Sequence, residues 1–233
     1  MNKFVKRYFI DAMSGMAQGL FASLLIGTII KTLGQQLLRL NVNQFFQFLV
    51  DAGNFATESH VVGAAMAVGI GFAMQLPLLV LLSLAAVGSA ANVTGGAGGP
   101  LAVLVHAIIS AEAGNLVSKK TKVDIIVTPL VTILTGALLT VLTAKYIGIA
   151  ASSVGKLVVW ATKLHPFWMG ILVSAIIGIA LTLPISSAAI CAAFGLTGLA
   201  GGAAVAGCSA QMVGFAVMSF RENRWGGILS HGL

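Results

Sequence analysis

The chain has 233 residues, 58% of them A, V, I, L, M, F, W, Y or C, with only 8% charged and a mean hydropathy of +1.01. A soluble domain carries about 25% charged residues, and a disordered or collagen-like chain lacks this density of large aliphatics, so an integral membrane protein remains. The formal charge is +7, and eight of the 13 Lys and Arg residues sit in three clusters, Lys3/Lys6/Arg7, Lys119/Lys120/Lys122 and Arg221/Arg224, without the basic stripe and interleaved aromatics that a nucleic-acid surface needs.

At roughly 20 residues per crossing, six to eight spans would use most of the chain. Because Lys and Arg stay on the cytoplasmic side of short loops, the three clusters are expected there, the N-terminus with them. The first span is expected at Phe9–Leu33; it is too long for a signal peptide and lacks a small-x-small cleavage site. Gln35–Ser59 alternates phenylalanines and leucines with Gln, Asn, Arg39, Asp51 and Glu58, the pattern of a helix lying in the interface. The apolar stretch His60–Val93 is broken at Pro77, which removes a helical hydrogen bond and restricts its predecessor, giving one span and one shorter segment. The glycine-rich run from Asn92 to Pro100 is expected to be non-helical, and Leu101–Val117 is a return span ending at the Lys119 cluster.

The second half opens with a span at Ile125–Ile149, with Pro129 in its first turns, where proline is tolerated. Ala150–Leu164, with Lys156, Trp160 and Lys163, is a second candidate interfacial helix with an aromatic anchor. A span at Phe167–Pro184, a short segment Ile185–Leu196, a glycine-rich break Thr197–Gly202 and a last span to Phe220 complete the chain. The two halves, 1–123 and 124–233, have the same order of parts. Gly71–Gly88 laid over Gly178–Gly195 gives seven identities in 18 positions, including Pro77 over Pro184, which suggests an internal repeat. The expected fold is therefore an all-α polytopic membrane protein of two repeated halves, with Gly/Pro-broken segments and interfacial amphipathic helices.

Backbone left unpaired in lipid costs several kcal/mol per group, so glycine-rich breaks at membrane depth must face protein or a watery cavity. A matched pair of such breaks in two halves points to a transporter's midplane site. Gln75, Asn92, Thr94, Gly95 and Gly96 in the first half, and Thr182, Ser186, Ser187 and Gln211 in the second, could supply hydrogen bonds to a hydroxylated ligand. Each hydroxyl can instead bond back to its own helix. His106 and Glu112 join them because ionisable groups inside a span are costly and usually pair or function; Lys119 is the structural partner expected for Glu112. His60 and His165 are expected at the interface. No phosphate-binding loop, His-Glu-x-x-His, Gly-x-Ser-x-Gly or paired Cys motif is present. No catalytic residue, metal or cofactor is called for, and Cys191 and Cys208 are expected to be free thiols.

Four segments carry a family resemblance: Tyr8-Phe-Ile-Asp-Ala-Met-Ser-Gly-Met-Ala-Gln-Gly-Leu-Phe-Ala22, Lys120-Thr-Lys-Val-Asp-Ile-Ile-Val-Thr-Pro-Leu-Val-Thr132, His165-Pro-Phe-Trp-Met-Gly170 and Leu183-Pro-Ile-Ser-Ser-Ala-Ala189. Together they resemble the membrane IIC subunits of the bacterial phosphotransferase system, in the branch that includes PfoR-type proteins. The resemblance implies a permease of the bacterial cytoplasmic (inner) membrane that binds and moves a sugar or polyol. Separate cytoplasmic IIB and IIA phosphocarrier proteins would phosphorylate that substrate, so the chain is at most the membrane subunit of a sugar phosphotransferase, and a homodimer is implied. Cys191 and Cys208 are then not phosphorylation sites. The Gly-Ile-Thr-Glu-Pro motif, whose glutamate binds sugar in glucose-type subunits, is absent; Glu112 is at most its analogue. Members of the branch run on beyond the equivalent of Leu233, so a C-terminal truncation is expected. Two other readings stand beside the permease: a non-transporting membrane regulator of PfoR type, and a secondary transporter of an ion or organic anion.

Overall fold

A computed structural model describes residues 6–40, 44–182, 191 and 196–232, and among these the regular structure is all helical. The chain forms two compact units, Met1–Gly148 and Ile149–Leu233. In the first, α1 (Lys6–Leu40) is one 35-residue helix, about 52 Å long at ~1.5 Å per residue, with π-helical turns at Lys6–Asp11 and Phe21–Leu25. It is followed by α2 (Gln44–Ala56) and α3 (Ser59–Ala73), which are bent by 56° where they meet.

Glycines set how these helices pair. A Cβ at Gly15 would overlap the carbonyl of Gly69, one at Gly19 that of Ala65, and one at Gly34 would lie 2.9 Å from the Val50 nitrogen. The contacts step backwards along one chain as they step forwards along the other, so α2 and α3 together run antiparallel to α1. This changes the expectation for Gln35–Ser59. Gln35–Leu40 are the last turns of α1, and α2 packs back along it because Gly27, Gly34 and Gly53 let the backbones approach.

The break after α3 falls where proline predicts. Gln75 takes φ +56°, Pro77 is extended, and α4 (Leu78–Gly95) begins at the next residue. The glycine-rich run differs from expectation: α4 continues through Asn92 to Gly95, and only Gly96–Gly98 form a 3-10 turn before α5 (Gly99–Val117). Gly96 supplies the positive φ of +52° that reverses the chain, and Pro100 fits in the first turn of α5. The stretch Leu78–Val117 is thus two antiparallel helices, with Gly114 near the end of α5 against Val80 near the start of α4.

The next helix, α6, runs unbroken from Asp124 to Ala161 through a π turn at Thr140–Ala144. Ala150–Leu164 is therefore not a separate interfacial helix up to Ala161. In α6, Thr128, Thr132, Gly136, Thr140 and Ala144 are buried at four-residue spacing, whereas Ile125, Ile126, Leu130, Leu134, Leu138 and Val141 are exposed. Small residues inside and large aliphatics outside is the arrangement lipid favours, because tails solvate leucine and only close packing or hydrogen bonding holds helices together. The first unit's core likewise centres on Met66, Ala67, Ile70, Leu84, Ala102, Val103 and Ala107, with Ala12 and Met16 from α1.

In the second unit, α7 (Pro166–Ala180) buries Met169, Val173, Ile177 and Ala180. It packs on α8 (Gly198–Gly232), where Gly207 lies against the backbone of Ser174. The tract expected as a break, Thr197–Gly202, is helical from Gly198 onward. Arg224, at φ +47°, kinks α8 next to the edge-to-face pair Phe220–Trp225. Pro184 and most of the short segment after it lie outside the described residues.

Among the described residues, four stretches are long and apolar enough to cross a membrane, and the bent pair α2–α3 makes a fifth. This is an integral membrane protein. The count falls short of six to eight because Leu78–Val117, which folds back on itself at Gly96, is counted once, and because α7 has only 15 residues.

Candidate functional site

The candidate residues fall in separate places. Gln75 and Glu112 lie at the end of the first unit where α3 passes into α4 and α5 ends. There the guanidinium of Arg7 donates to Glu112 at 2.9 Å, joining the first turns of α1 to α5, with both side chains about a third exposed. Arg7 also lies over the Tyr8 ring, 5.8 Å from its centroid. Lys6, Arg7, Asp11 and Gln75 line an open cavity of about 250 Å³. The Arg7 bond corrects the expectation that Glu112 pairs with Lys119; the Lys119 backbone N–H instead donates to Asp124, which also accepts from the Thr128 hydroxyl. The antiparallel register places Lys119, Lys120 and Lys122 at the same end as Lys6 and Arg7, so two of the three basic clusters share one end of this unit.

Asn92, Thr94, Gly95 and Gly96 lie at the opposite end. The Asn92 amide donates to the Ser59 carbonyl at 2.8 Å, and its side chain packs against Gly99. Asn92 thereby ties α3, α4 and α5 together, which is why the helix does not break there. Asn92→Ala removes one such bond and is expected to cost about 1 kcal/mol, read as a fall in the thermal midpoint; an unchanged midpoint would mean the bond adds nothing. Thr94 and Gly96 are exposed, and Gly95 is buried against Ala102. His60, placed at the interface by sequence, is exposed and bonded to Ser89 at 2.8 Å.

His106 lies two turns into α5 and is fully buried. The Thr143 hydroxyl donates to the Leu139 carbonyl at 2.8 Å, so its oxygen is left to accept from His106 Nε2–H, also at 2.8 Å. Thr140 then donates to Nδ1 at 3.3 Å. This assignment from the hydrogen-bond network makes the ring neutral with both nitrogens occupied. The π turn at Thr140–Ala144 holds both threonines toward the ring, and such turns recur at functional positions in helices.

In the second unit, the Thr182 hydroxyl caps its own helix on the Ile179 carbonyl at 2.7 Å, and Gln211 is half-buried on α8. Ser186 and Ser187 lie outside the described residues. Sequence reasoning missed Lys6, Arg7 and Asp11, whose signal was charge at the start of an apolar run, and Thr140 and Thr143; Thr140 continues the spacing of Thr128 and Thr132 along α6, and Thr143 follows it by three residues. No group of three or more His, Cys, Asp or Glu that could hold a metal ion occurs among the described residues. Cys191 and Cys208 are free.

Neither a curated relative nor a solved structure matches this chain. The family model for the phosphotransferase system, EIIC, matches residues 10–233. That match covers nearly the whole chain, the membrane helices included, so the chain belongs to the phosphotransferase system EIIC family and is a membrane permease component of that system.

Proposed function

We propose that the chain binds a sugar or polyol, moves it across the bacterial inner membrane and presents it to cytoplasmic IIB and IIA proteins for phosphorylation. The family match over residues 10–233 carries this reading. The basic end would face the cytoplasm, in keeping with the retention of Lys and Arg on that side. The two halves 1–123 and 124–233 would act as repeats around the substrate, and the working form would be a homodimer. Of the candidate ligand groups in the first unit, Gln75 lines the open cavity and Glu112 is paired with Arg7, another of its lining residues, whereas Asn92 and His106 have their hydrogen bonds taken up within the protein.

The test is equilibrium binding and thermal stabilisation of purified protein against sugars, polyols, sugar phosphates and organic acids. A ligand present at about 100 times its Kd adds about 2.7 kcal/mol to stability. A shift confined to one sugar or polyol class supports the permease. A shift by organic anions alone favours an anion transporter, and saturable sugar binding without flux in vesicles favours a regulator of PfoR type. Glu112 has its own test. Glu112→Gln is expected to weaken sugar binding by about tenfold, the loss of one charged hydrogen bond of roughly 1.5 kcal/mol. Arg7→Gln, which frees the carboxylate, should leave affinity equal or higher. Equal losses in both variants would make the pair purely structural.

A further inference from the structure

Two cavities meet at the α3–α4 break. The first, about 250 Å³, is walled by Lys6, Arg7, Asp11 and Gln75; the second, about 550 Å³, by Phe72, Leu76 and Leu81; Ala73 and Gln75 line both. One compartment is polar with basic groups and the other is mainly apolar, and they adjoin at the Ala73 and Gln75 residues that line both. Their depth follows from helix length. The 18 residues of α4 span about 27 Å, close to the ~30 Å hydrocarbon thickness, so the start of α4 lies at a headgroup boundary. It is also the end that carries the lysines at 119, 120 and 122.

One donor at this place is unused. Arg7 gives a terminal nitrogen to Glu112, while its Nε is buried and finds no acceptor among the described residues. A buried guanidinium N–H without a partner calls for an acceptor oxygen, and Lys6 beside it adds an exposed positive charge. Phe72, 72% exposed, lies along the apolar side. Basic pockets between membrane helices at this depth are suited to anionic headgroups.

We propose that the two cavities together are a binding site for an anionic phospholipid. Lys6 and Arg7 hold the phosphate, and an acyl chain lies against Phe72, Leu76 and Leu81. Asp11 would repel a bare polyanion but can accept a hydrogen bond from a headgroup hydroxyl, so a glycerol-bearing headgroup fits the wall better than a phosphate monoester.

The test titrates the detergent-purified protein with dioctanoyl phosphatidylglycerol, dioctanoyl phosphatidylcholine and glycerol phosphate, reading thermal stabilisation and bound lipid by native mass spectrometry. Phosphatidylglycerol alone is expected to bind saturably and raise the melting midpoint. Lys6→Gln should weaken it about fivefold, the effect of one basic group at a membrane surface, and Phe72→Ala should weaken it through the chain. Both positions are exposed, so neither variant should disturb folding. Equal binding of phosphatidylcholine would leave only unselective lipid contact, and equal binding of glycerol phosphate would leave a soluble-anion site. Either result overturns the proposal, as does phosphatidylglycerol binding that survives both substitutions unchanged.

Discussion

Gly69→Leu is expected to abolish recovery of folded, monodisperse protein. At this crossing α1 and α3 touch backbone to backbone: a Cβ at Gly69 would overlap the Gly15 carbonyl, and one at Gly15 would lie 2.8 Å from the Ala73 Cβ. Helix pairs with ordinary side chains at the contact sit about 8–10 Å apart, so a leucine must push α1 outward. The displacement would also part Ala12 and Met16 from Met66 and Ile70. In lipid no hydrophobic force draws the helices back, since association rests on close packing. Forcing even one extra methylene into a packed core costs about 1–3 kcal/mol; leucine adds four carbons, and the sum approaches the whole stability of a typical domain, about 5–15 kcal/mol. Gly69→Ala should therefore survive with a lower melting midpoint. Gly170→Ala and Gly214→Ala meet nothing within 4 Å and should be neutral or mildly stabilising, because alanine favours helix over glycine by up to about 1 kcal/mol. Fluorescence-detected gel filtration with a melting series reads all four. A Gly69→Leu protein that melts like the parent would show that α1 and α3 do not touch there.

The same glycines show what the sequence made legible. Composition and the long apolar runs were enough for a membrane protein, because lipid demands helical spans and few charges leave little else. Pro77 located the α3–α4 break, since proline acts on its own backbone and that of its neighbour. Gln35–Ser59 read as interfacial because its phenylalanines alternate with polar groups. What turned α2 back onto α1 was the facing of Gly27 with Gly53 and of Gly34 with Val50, a relation between distant residues that no local pattern holds. The Asn92–Pro100 tract misled for a similar reason: four glycines and a proline suggested a long break, but the Asn92 bond to Ser59, 33 residues away, holds α4 helical to Gly95. Of the candidate site, Gln75 and Glu112 were legible as polar groups at costly positions. Arg7, 105 residues from Glu112, was seen only as a topological charge, because pairing across the fold depends on the antiparallel stacking of α1, α3, α4 and α5.

His106→Ala is expected to be the most damaging truncation of a polar side chain in the first unit, lowering stability by about 3 kcal/mol. Truncating a large, fully buried side chain costs about 2–5 kcal/mol through lost contacts and the cavity left behind. Hydrogen bonds between membrane helices add only about 0.6 kcal/mol each on average, so packing dominates the loss. The polar part can be isolated. His106→Gln offers a donor for Thr143 and fills part of the ring's volume, and is expected to lose less than half as much as alanine; Thr143→Val should add little on top of His106→Ala, because the two act through one bond. One turn on, the contrast reverses. Ser110 is fully buried and its hydroxyl has no partner among the described residues. Removing an unsatisfied buried group recovers part of a desolvation cost of about 1–3 kcal/mol, so Ser110→Ala should stabilise the protein slightly. Two polar residues on one face of one helix thus predict shifts of opposite sign, measured as melting midpoints in the same detergent. Ligand affinity separates the two roles open to His106. A structural ring clamping α5 to the π turn of α6 leaves the Kd of the surviving His106→Gln protein unchanged. A fall in affinity without a matching fall in stability would place His106 in contact with the substrate, and would draw the site from the basic end toward the middle of the membrane.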